Sequence, residues 1–235
     1  MNAQASGIDL HYAETPNGWK VSICLEELGL PYRLTRVALD QPRDPDFLAI
    51  SPNGRIPAIV DHGDGRGDPV AIFESGAILL YLAEKEGRLI PFDTAGRTRT
   101  IQWLMWQMAG LGPMAGQNGH FRLYAPEPLP YAIARYGNEV HRLYGVLDAQ
   151  LARTGSFVAG DYSIADIACF PWIMTHKKQG LTLDDFPALR DWFARIRARP
   201  AVQRGLAAGK GIDAMRNNDM NAEARARLFG WAGRE

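Results

Sequence analysis

Strand-like patterns occur only before Gly87 in this chain, where they alternate with helix-like patterns. Short runs of β-branched and aromatic residues between turn residues predict strands, and apolar residues at helical spacing predict helices. The predicted elements, in the order strand, helix, strand, helix, strand, strand, helix, are Ile8–Ala13, a helix ending at Leu28, Tyr32–Leu39, Asp44–Ile50, Ile56–Val60, Val70–Phe73 and Ser75–Glu86. The last two strands are joined by a short Gly- and Asp-rich loop, so they must be antiparallel in a mixed sheet. This part of the chain is therefore predicted to be a small α/β domain, 7–88.

After this domain the pattern becomes helical. Helices are predicted over Thr98–Met108, Ala132–Ala152 and Pro187–Arg197. Ser163 and Asp166 have the spacing of a capping box, which predicts another helix start. We interpret Pro91–Gly96 as a linker and Gly110–Pro113 as a break or kink. The sequence thus predicts an all-α domain, 94–209, followed by a polar tail, 210–235.

Composition and charge exclude several classes of function. Lys and Arg number 26, as do Asp and Glu, and the zero net charge argues against holding nucleic acid or an anionic membrane by bulk charge. The longest apolar runs, such as Ala77–Ala83, are far shorter than the roughly 20 residues that span a bilayer. No secretory signal pattern is visible, and two cysteines are typical of a reducing compartment. We therefore expect a cytoplasmic protein without a nucleic-acid or membrane partner.

The sequence offers neither a metal site nor a reactive thiol. The five histidines show no metal-ligand spacing, so no metal cofactor is expected. There is no C-x-x-C motif, and no cysteine lies in the turn between the first strand and the first helix. Cys24 and Cys169 lie in apolar patterns, which is typical of core thiols.

The turn Thr15-Pro16-Asn17-Gly18 leads into the first helix and allows two interpretations. A helix N-terminus attracts an anion or a thiolate. Thr15 or Asn17 could equally be a plain helix cap, because both residue types are favoured there.

Two further segments of the first domain also allow both a ligand-binding and a purely structural interpretation. Pro57 opens a strand after a Gly-containing turn, which indicates either a cis peptide bond with the Ile56 backbone exposed to a ligand, or simple punctuation of an edge strand. Glu74 and Ser75 at the next helix start could receive the ammonium and carboxylate of an amino-acid head group. They could also be a solvated glutamate and an ordinary cap.

Taken together, these strings resemble the glutathione S-transferase family over roughly residues 8–208. The superfamily resemblance rests on Thr15–Asn17, Ser51–Asp61, Phe73–Ala83 and Tyr162–Asp166. The strings Thr15–Gly18, Gln102–Gln107, Gly110–Gln117 and Pro130–Tyr136 are similar to its bacterial Nu-class branch, whose members act as glutathione-dependent disulfide-bond reductases. The resemblance implies a thioredoxin-like N-terminal domain, an all-α C-terminal domain, glutathione as the bound cosubstrate, and a homodimer.

The resemblance also implies roles for individual residues. The backbone of Ile56, before a cis-Pro57, would pair with the cysteinyl part of glutathione, and Glu74 and Ser75 would hold the γ-glutamyl end. Arg135 would meet a glutathione carboxylate, although its sequence context also allows an exposed ion pair with a neighbouring glutamate on the same helix.

Thr15 and Asn17 would lie at the glutathione sulfur and form the catalytic pair. Neither side chain titrates in a useful range, so both are expected to donate hydrogen bonds that lower the pKa of a thiolate. The nucleophile would then be glutathione itself. One residue of the branch has no counterpart here. Pro42 stands where the branch usually has a glutamine, and Gln41 or Arg43 beside it could make the glutathione contact instead.

Two rival functions remain open. A transferase would conjugate one glutathione to a small hydrophobic electrophile in an apolar pocket, for which Trp103, Trp106, Met114 and Phe121 are available. The second rival is a non-catalytic module with the same fold, which stays open because a fold alone does not determine activity. The expected partners are therefore glutathione and a small disulfide or electrophile.

Overall fold

The computed structural model describes residues 7–39, 41, 43–65, 67–210 and 229 of the 235-residue chain. The described residues within Met1–Ile78 and Arg204–Glu235 form one compact unit, and those within Leu79–Gln203 form the other. The domain limits 7–88 and 94–209 stay predictions. Most of the predicted tail, 210–235, lies outside the described residues.

A four-stranded mixed sheet is the centre of the first unit. Its strands are β1 Ile8–Tyr12, β2 Tyr32–Arg36, β3 Ala58–Asp61 and β4 Val70–Phe73. The strand order is β2-β1-β3-β4; β1 is parallel to β2 and antiparallel to β3, and β3 is antiparallel to β4. The predicted antiparallel hairpin is confirmed. Three helices begin in this unit, α1 Pro16–Leu28, α2 Pro45–Ile50 and α3 Ser75–Glu86.

Helix α1 ends where the sequence predicts, because Gly29 adopts the left-handed conformation, φ 73°, that closes a helix. More of α1 is buried than the single apolar face that the sequence predicts. Ser22 donates a 2.8 Å hydrogen bond from Oγ to the carbonyl of Gly205, and a Cβ at Gly205 would lie 2.6 Å from the Ile23 Cα. The helix therefore packs on a second segment of the chain at a distance that only glycine permits.

The second unit is helical. Its helices are α4 Thr94–Trp106, α5 Gly112–Leu123, α6 Pro130–Thr154, α7 Ile164–Ile173, α8 Pro187–Arg197 and α9 Pro200–Ala207, the last of which extends into the residues of the first unit. Two local predictions are wrong. Helix α4 starts inside the predicted linker, because the Asp93 side chain caps it by accepting the Gly96 N–H at 2.8 Å.

The predicted break at Gly110–Pro113 is instead a π-helical turn, Gln107–Leu111, that joins α4 to α5. The Gly112 N–H donates to the carbonyl of Gln107, five residues back, so the helical path continues through the wider turn. Pro113 follows in the first turn of α5, where proline is tolerated.

The predicted capping box is confirmed and has a wider role. Ser163 caps α7, and Asp166 accepts hydrogen bonds from the Ser163 N–H, the Val158 N–H and the indole N–H of Trp192. Asp166 is fully buried, and burial raises the pKa of its carboxyl to about 6. The box therefore joins three parts of the second unit.

None of the helices in the described ranges is long and apolar enough to cross a membrane.

Candidate functional site

The turn after β1 places the Thr15 hydroxyl at the start of α1. Thr15 is extended, φ −134° and ψ 162°, and its Oγ1 accepts the Gly18 N–H at 3.2 Å. The cap interpretation is therefore correct for Thr15. Accepting this bond does not use the hydroxyl hydrogen, so Oγ1 can still donate to a second group.

Few backbone N–H groups at the start of α1 are available to bind an anion. Pro16 has no N–H, the Gly18 N–H is taken by Thr15, and the Trp19 N–H donates to the Thr15 carbonyl at 2.9 Å. Any thiolate held here depends mainly on the side chains of Thr15 and Asn17 and on the helix dipole.

Close packing fixes the residue types around this turn. A Cβ at Gly18 would lie 2.2 Å from the Ala13 carbonyl oxygen and 3.0 Å from the Tyr12 ring, so only glycine fits. Tyr12, the tyrosine next to the turn, is buried, and burial raises the pKa of its phenol. Tyr12 is therefore not a source of a reactive phenolate.

Ile56 lies directly before β3, and the Ile56–Pro57 peptide bond is cis. Within the described part of the chain, neither the N–H nor the carbonyl of Ile56 has a hydrogen-bond partner. The preceding turn is held by the Ser51 hydroxyl, which donates to the Arg55 carbonyl at 2.8 Å. The segment thus presents an extended, half-buried residue whose backbone can pair with an extended ligand.

Arg43 supports this segment, which sequence reasoning did not foresee. Its guanidinium donates to the carbonyls of Ala38, Gln41 and Gly54, at 2.7, 3.0 and 2.8 Å. Of the two residues that the sequence left open beside Pro42, Arg43 is thus used to brace the loops. No short-range pattern signals a role that depends on three separate carbonyls.

Glu74 and Ser75 lie where β4 meets α3. Glu74 has φ 70°, the left-handed conformation that non-glycine residues rarely adopt. Such outliers cluster at binding and active sites, where the surrounding structure maintains them. The Glu74 side chain is exposed, whereas Ser75 is 3% exposed.

A lysine lies behind Ser75. The Lys20 side chain is 1% exposed, and its Nζ donates to the Ser75 Oγ at 3.3 Å. The sequence analysis missed Lys20, although a signal exists: Lys20 precedes Cys24 by four residues and therefore lies on the apolar face of α1.

The strand register brings the ends of three segments to one edge of the sheet. Ala58, the first residue of β3, pairs with His11 of β1 and with Phe73, the last residue of β4. The end of β1, the start of β3 and the end of β4 are therefore neighbours.

The residues predicted to bind glutathione in this unit follow from that register. Thr15 comes three residues after β1, Ile56 two residues before β3, and Glu74 directly after β4. Since the three strand ends adjoin, the sheet brings these residues to the same edge, as a site for one extended ligand requires.

Arg135 belongs to the second unit, on α6. Its side chain is 57% exposed, and its Nη1 lies 4.0 Å from Glu139. Glu139 is bound more closely by Arg142, with two hydrogen bonds of 3.0 and 2.7 Å, and Arg142 lowers the pKa of the Glu139 carboxyl. The ion pair that the sequence allowed is present but long, so Arg135 is not held tightly by it.

Both cysteines are fully buried, Cys24 in α1 and Cys169 in α7. Neither forms a disulfide bond, and burial raises the pKa of the Cys24 thiol. A thiol in this state is a poor nucleophile, because the thiolate is the reactive form.

The apolar residues considered for an electrophile are half-buried in the second unit. Trp103 and Trp106 pack edge to face with ring centroids 5.0 Å apart, and Phe121 stacks on Tyr136 at 5.4 Å. These rings keep exposed surface and are not closed into the core.

Two family models match the chain. Residues 15–85 match the glutathione S-transferase N-terminal domain, and residues 133–200 match the glutathione S-transferase C-terminal domain. Among curated proteins, the chain is 52% identical to the disulfide-bond oxidoreductase YfcG of Escherichia coli K12, over 85% of this chain and 94% of that protein.

Solved structures agree with this assignment. A glutathione transferase family member from Pseudomonas fluorescens Pf-5, crystallised with two glutathione bound, is 47% identical, with a TM-score of 0.79 over 86% of this chain and 92% of that one. A Pseudomonas putida glutathione transferase with one glutathione disulfide bound per subunit is 44% identical, with a TM-score of 0.80 over 86% and 91%. The predicted resemblance and the predicted fold class, a thioredoxin-like domain with an all-α domain, are confirmed.

Proposed function

Because the chain belongs to the glutathione S-transferase family of enzymes, we propose that it is a glutathione-dependent disulfide-bond reductase whose nucleophile is bound glutathione. The name of its E. coli relative supports the reaction class. The neighbours crystallised with two glutathiones or with glutathione disulfide support a site that takes two sulfur atoms.

One observation carries the choice of nucleophile. Cys24 and Cys169 are fully buried, whereas the segments predicted to bind glutathione meet at one edge of the sheet. A substrate disulfide has no access to a buried thiol, so the attacking sulfur comes from a bound small molecule.

The reaction then proceeds in two exchanges. A glutathione thiolate attacks one sulfur of the substrate disulfide, breaks the S–S bond, and releases one substrate thiolate, which takes up a proton. A second glutathione thiolate attacks the glutathione sulfur of the mixed disulfide and releases the other substrate thiolate. Two glutathiones are oxidised to glutathione disulfide, and the substrate disulfide is reduced to two thiols.

Different residues of the first unit have different roles in this proposed reaction. Thr15 and Asn17 donate hydrogen bonds to the thiolate, and the N-terminal end of α1 adds a favourable dipole. The backbone of Ile56 pairs with the cysteinyl part of glutathione. Glu74 accepts hydrogen bonds from its ammonium, and Ser75 donates one to its γ-glutamyl carboxylate.

We propose Arg135, on α6 of the second unit, as the partner of a glutathione carboxylate. Its loose contact with Glu139 leaves the guanidinium available for such a ligand. We also propose the homodimer and the cytoplasmic location that the sequence analysis expects.

The test combines the wild-type protein with a cysteine-free variant. Reduction of a small disulfide by glutathione is followed by coupling glutathione disulfide to glutathione reductase and NADPH. Cys24→Ala/Cys169→Ala is expected to keep turnover within about threefold of wild type, because a buried thiol is replaced by a smaller apolar residue. Its melting temperature provides the stability control.

Each other outcome contradicts part of the proposal. Loss of turnover in a folded cysteine-free variant means that a protein thiol attacks. Conjugation of a chlorodinitrobenzene without disulfide reduction favours a transferase, to which the half-exposed Trp103 and Trp106 would contribute. Glutathione binding with neither activity favours a non-catalytic module.

A further inference from the structure

A lysine in the interior of the first unit has no role in the function described so far. Lys20 is 1% exposed, although it carries an ammonium group. Burying an ammonium is unfavourable unless hydrogen bonds and nearby negative charge compensate for the lost hydration. An apolar residue at this position would continue the apolar face of α1, so the charged group at this position is a candidate for a role in the neighbouring site.

The hydrogen bond of Lys20 points to that role. Its Nζ donates to the Ser75 Oγ at 3.3 Å. We infer that Lys20 is a positioning residue for the γ-glutamyl carboxylate of glutathione and acts through the Ser75 hydroxyl. This inference rests on the proposed function, in which Ser75 donates to that carboxylate.

The geometry of a hydroxyl explains how the effect is transmitted. A serine hydroxyl has one hydrogen to donate and two lone pairs to accept with. The Lys20 ammonium occupies a lone pair and repels the hydroxyl hydrogen, which is therefore directed away from Nζ. Ser75 is then oriented to donate to an anion on its other side.

The charge of Lys20 adds a second contribution. A carboxylate bound at Ser75 lies one hydrogen bond beyond the hydroxyl, roughly 5–6 Å from the ammonium. Solvent screens this attraction little, because both Lys20 and Ser75 are buried. The position therefore favours an anionic head group over a neutral one.

Helix α1 thereby connects both ends of the ligand. Asn17, proposed to lie at the sulfur, precedes Lys20 by three residues and shares its side of the helix. Lys20 reaches the start of α3. Its effect is expected in binding, because it acts at the end of glutathione that does not react.

The experiment compares glutathione with cysteinylglycine, which lacks the γ-glutamyl group. We measure kcat/KM for each thiol with a chromophoric disulfide, and the affinity for glutathione by calorimetry, in the wild type, Lys20→Met, Ser75→Ala and the double variant. Lys20→Met is expected to weaken glutathione binding about 10- to 100-fold, with kcat at saturation changed little. Its kcat/KM with cysteinylglycine should stay within about threefold of wild type.

The double variant tests the route through Ser75. If Lys20 acts through this hydroxyl, Lys20→Met/Ser75→Ala binds glutathione as weakly as Ser75→Ala alone. Additive losses overturn the inference, and so does an equal loss for both thiols, because that pattern means a structural role only. If Lys20→Met does not fold, Lys20→Gln carries the same comparison, since it keeps a donor but removes the charge.

Glutathione binding by the wild type distinguishes failure of the proposed function from failure of the Lys20 inference. No glutathione binding by the wild type refutes the proposed function and the inference with it. Wild-type binding that Lys20→Met leaves unchanged refutes the inference alone.

Discussion

Substitution of Thr15 can separate the structural role of its hydroxyl from the catalytic role that we propose for it. In the structure the Thr15 Oγ1 caps α1 by accepting the Gly18 N–H. In the proposed mechanism the same oxygen donates its hydrogen to the glutathione thiolate. Three variants divide these roles: Thr15→Ser keeps both, Thr15→Ala removes both, and Thr15→Asp keeps the acceptor but has no hydrogen to donate when ionised.

The stability effect follows from the cap. At 3.2 Å the bond to Gly18 is a long one, and replacing a capping threonine by alanine costs about 1 kcal/mol. In a domain of this size that lowers the melting temperature by roughly 2–4 °C. Thr15→Ser and Thr15→Asp should stay within about 0.5 kcal/mol of wild type, because serine and aspartate are good caps.

The catalytic effect follows from the lost donor. Removing one hydrogen bond to a developing or full negative charge lowers turnover about 10- to 1,000-fold. Thr15→Ala should therefore lose activity in that range, and Thr15→Asp should lose at least as much, because its carboxylate also repels the thiolate. Thr15→Ser should retain most of the activity.

Three measurements distinguish the variants. Urea unfolding gives the free energy of unfolding, and the glutathione-reductase-coupled assay gives turnover. Ultraviolet absorbance of the bound thiolate, titrated with pH, should show a raised thiolate pKa in Thr15→Ala and Thr15→Asp. Full turnover in a stable Thr15→Asp protein would refute the donor role, and unchanged stability in Thr15→Ala would refute the capping argument.

Three further predictions concern Asn17 and Asp166. Asn17→Ala should lower turnover about 10- to 1,000-fold, because the thiolate loses one hydrogen-bond donor; equal turnover in a folded variant contradicts this role. Asp166→Asn should destabilise the fold by about 3 kcal/mol in urea unfolding, since its amide leaves a buried donor unpaired. Burial raises the pKa of Asp166 to about 6, so the folded state retains this proton to higher pH than the unfolded chain. The free energy of unfolding should therefore fall as pH rises from about 4 to about 6, and a flat profile in the wild type would contradict this reasoning.

Elements with strong local signals could be predicted closely from the sequence. Val70–Phe73, Ser75–Glu86 and Pro187–Arg197 have the predicted bounds, since turn chemistry, a Gly stop and an N-terminal proline mark their ends. The break at Gly110–Pro113 could not be distinguished from a π turn. That outcome depends on how the two flanking helices pack, which no local pattern encodes.

In the candidate site, too, local contacts could be predicted from the sequence and long-range contacts could not. The cap at Thr15 could be predicted because it depends on residues three positions apart. The partners of Lys20 and Arg43 could not be predicted, because they lie far along the chain or are backbone carbonyls, which every residue type has. Sequence motifs thus supplied the groups that we propose to face glutathione, and they missed the residues whose contacts support those groups.

The packing of Gly205 on α1 has a consequence for the newborn chain. The helix that carries Thr15 and Asn17 leaves the ribosome early, but the Ser22–Gly205 bond joins residues 183 positions apart. At about 5–20 residues per second, that interval takes roughly 10–40 s of synthesis. During this time the rear of the helix lacks its final neighbour, so the turn at Thr15 and Asn17 reaches its finished environment only after the segment around Gly205 has been synthesised.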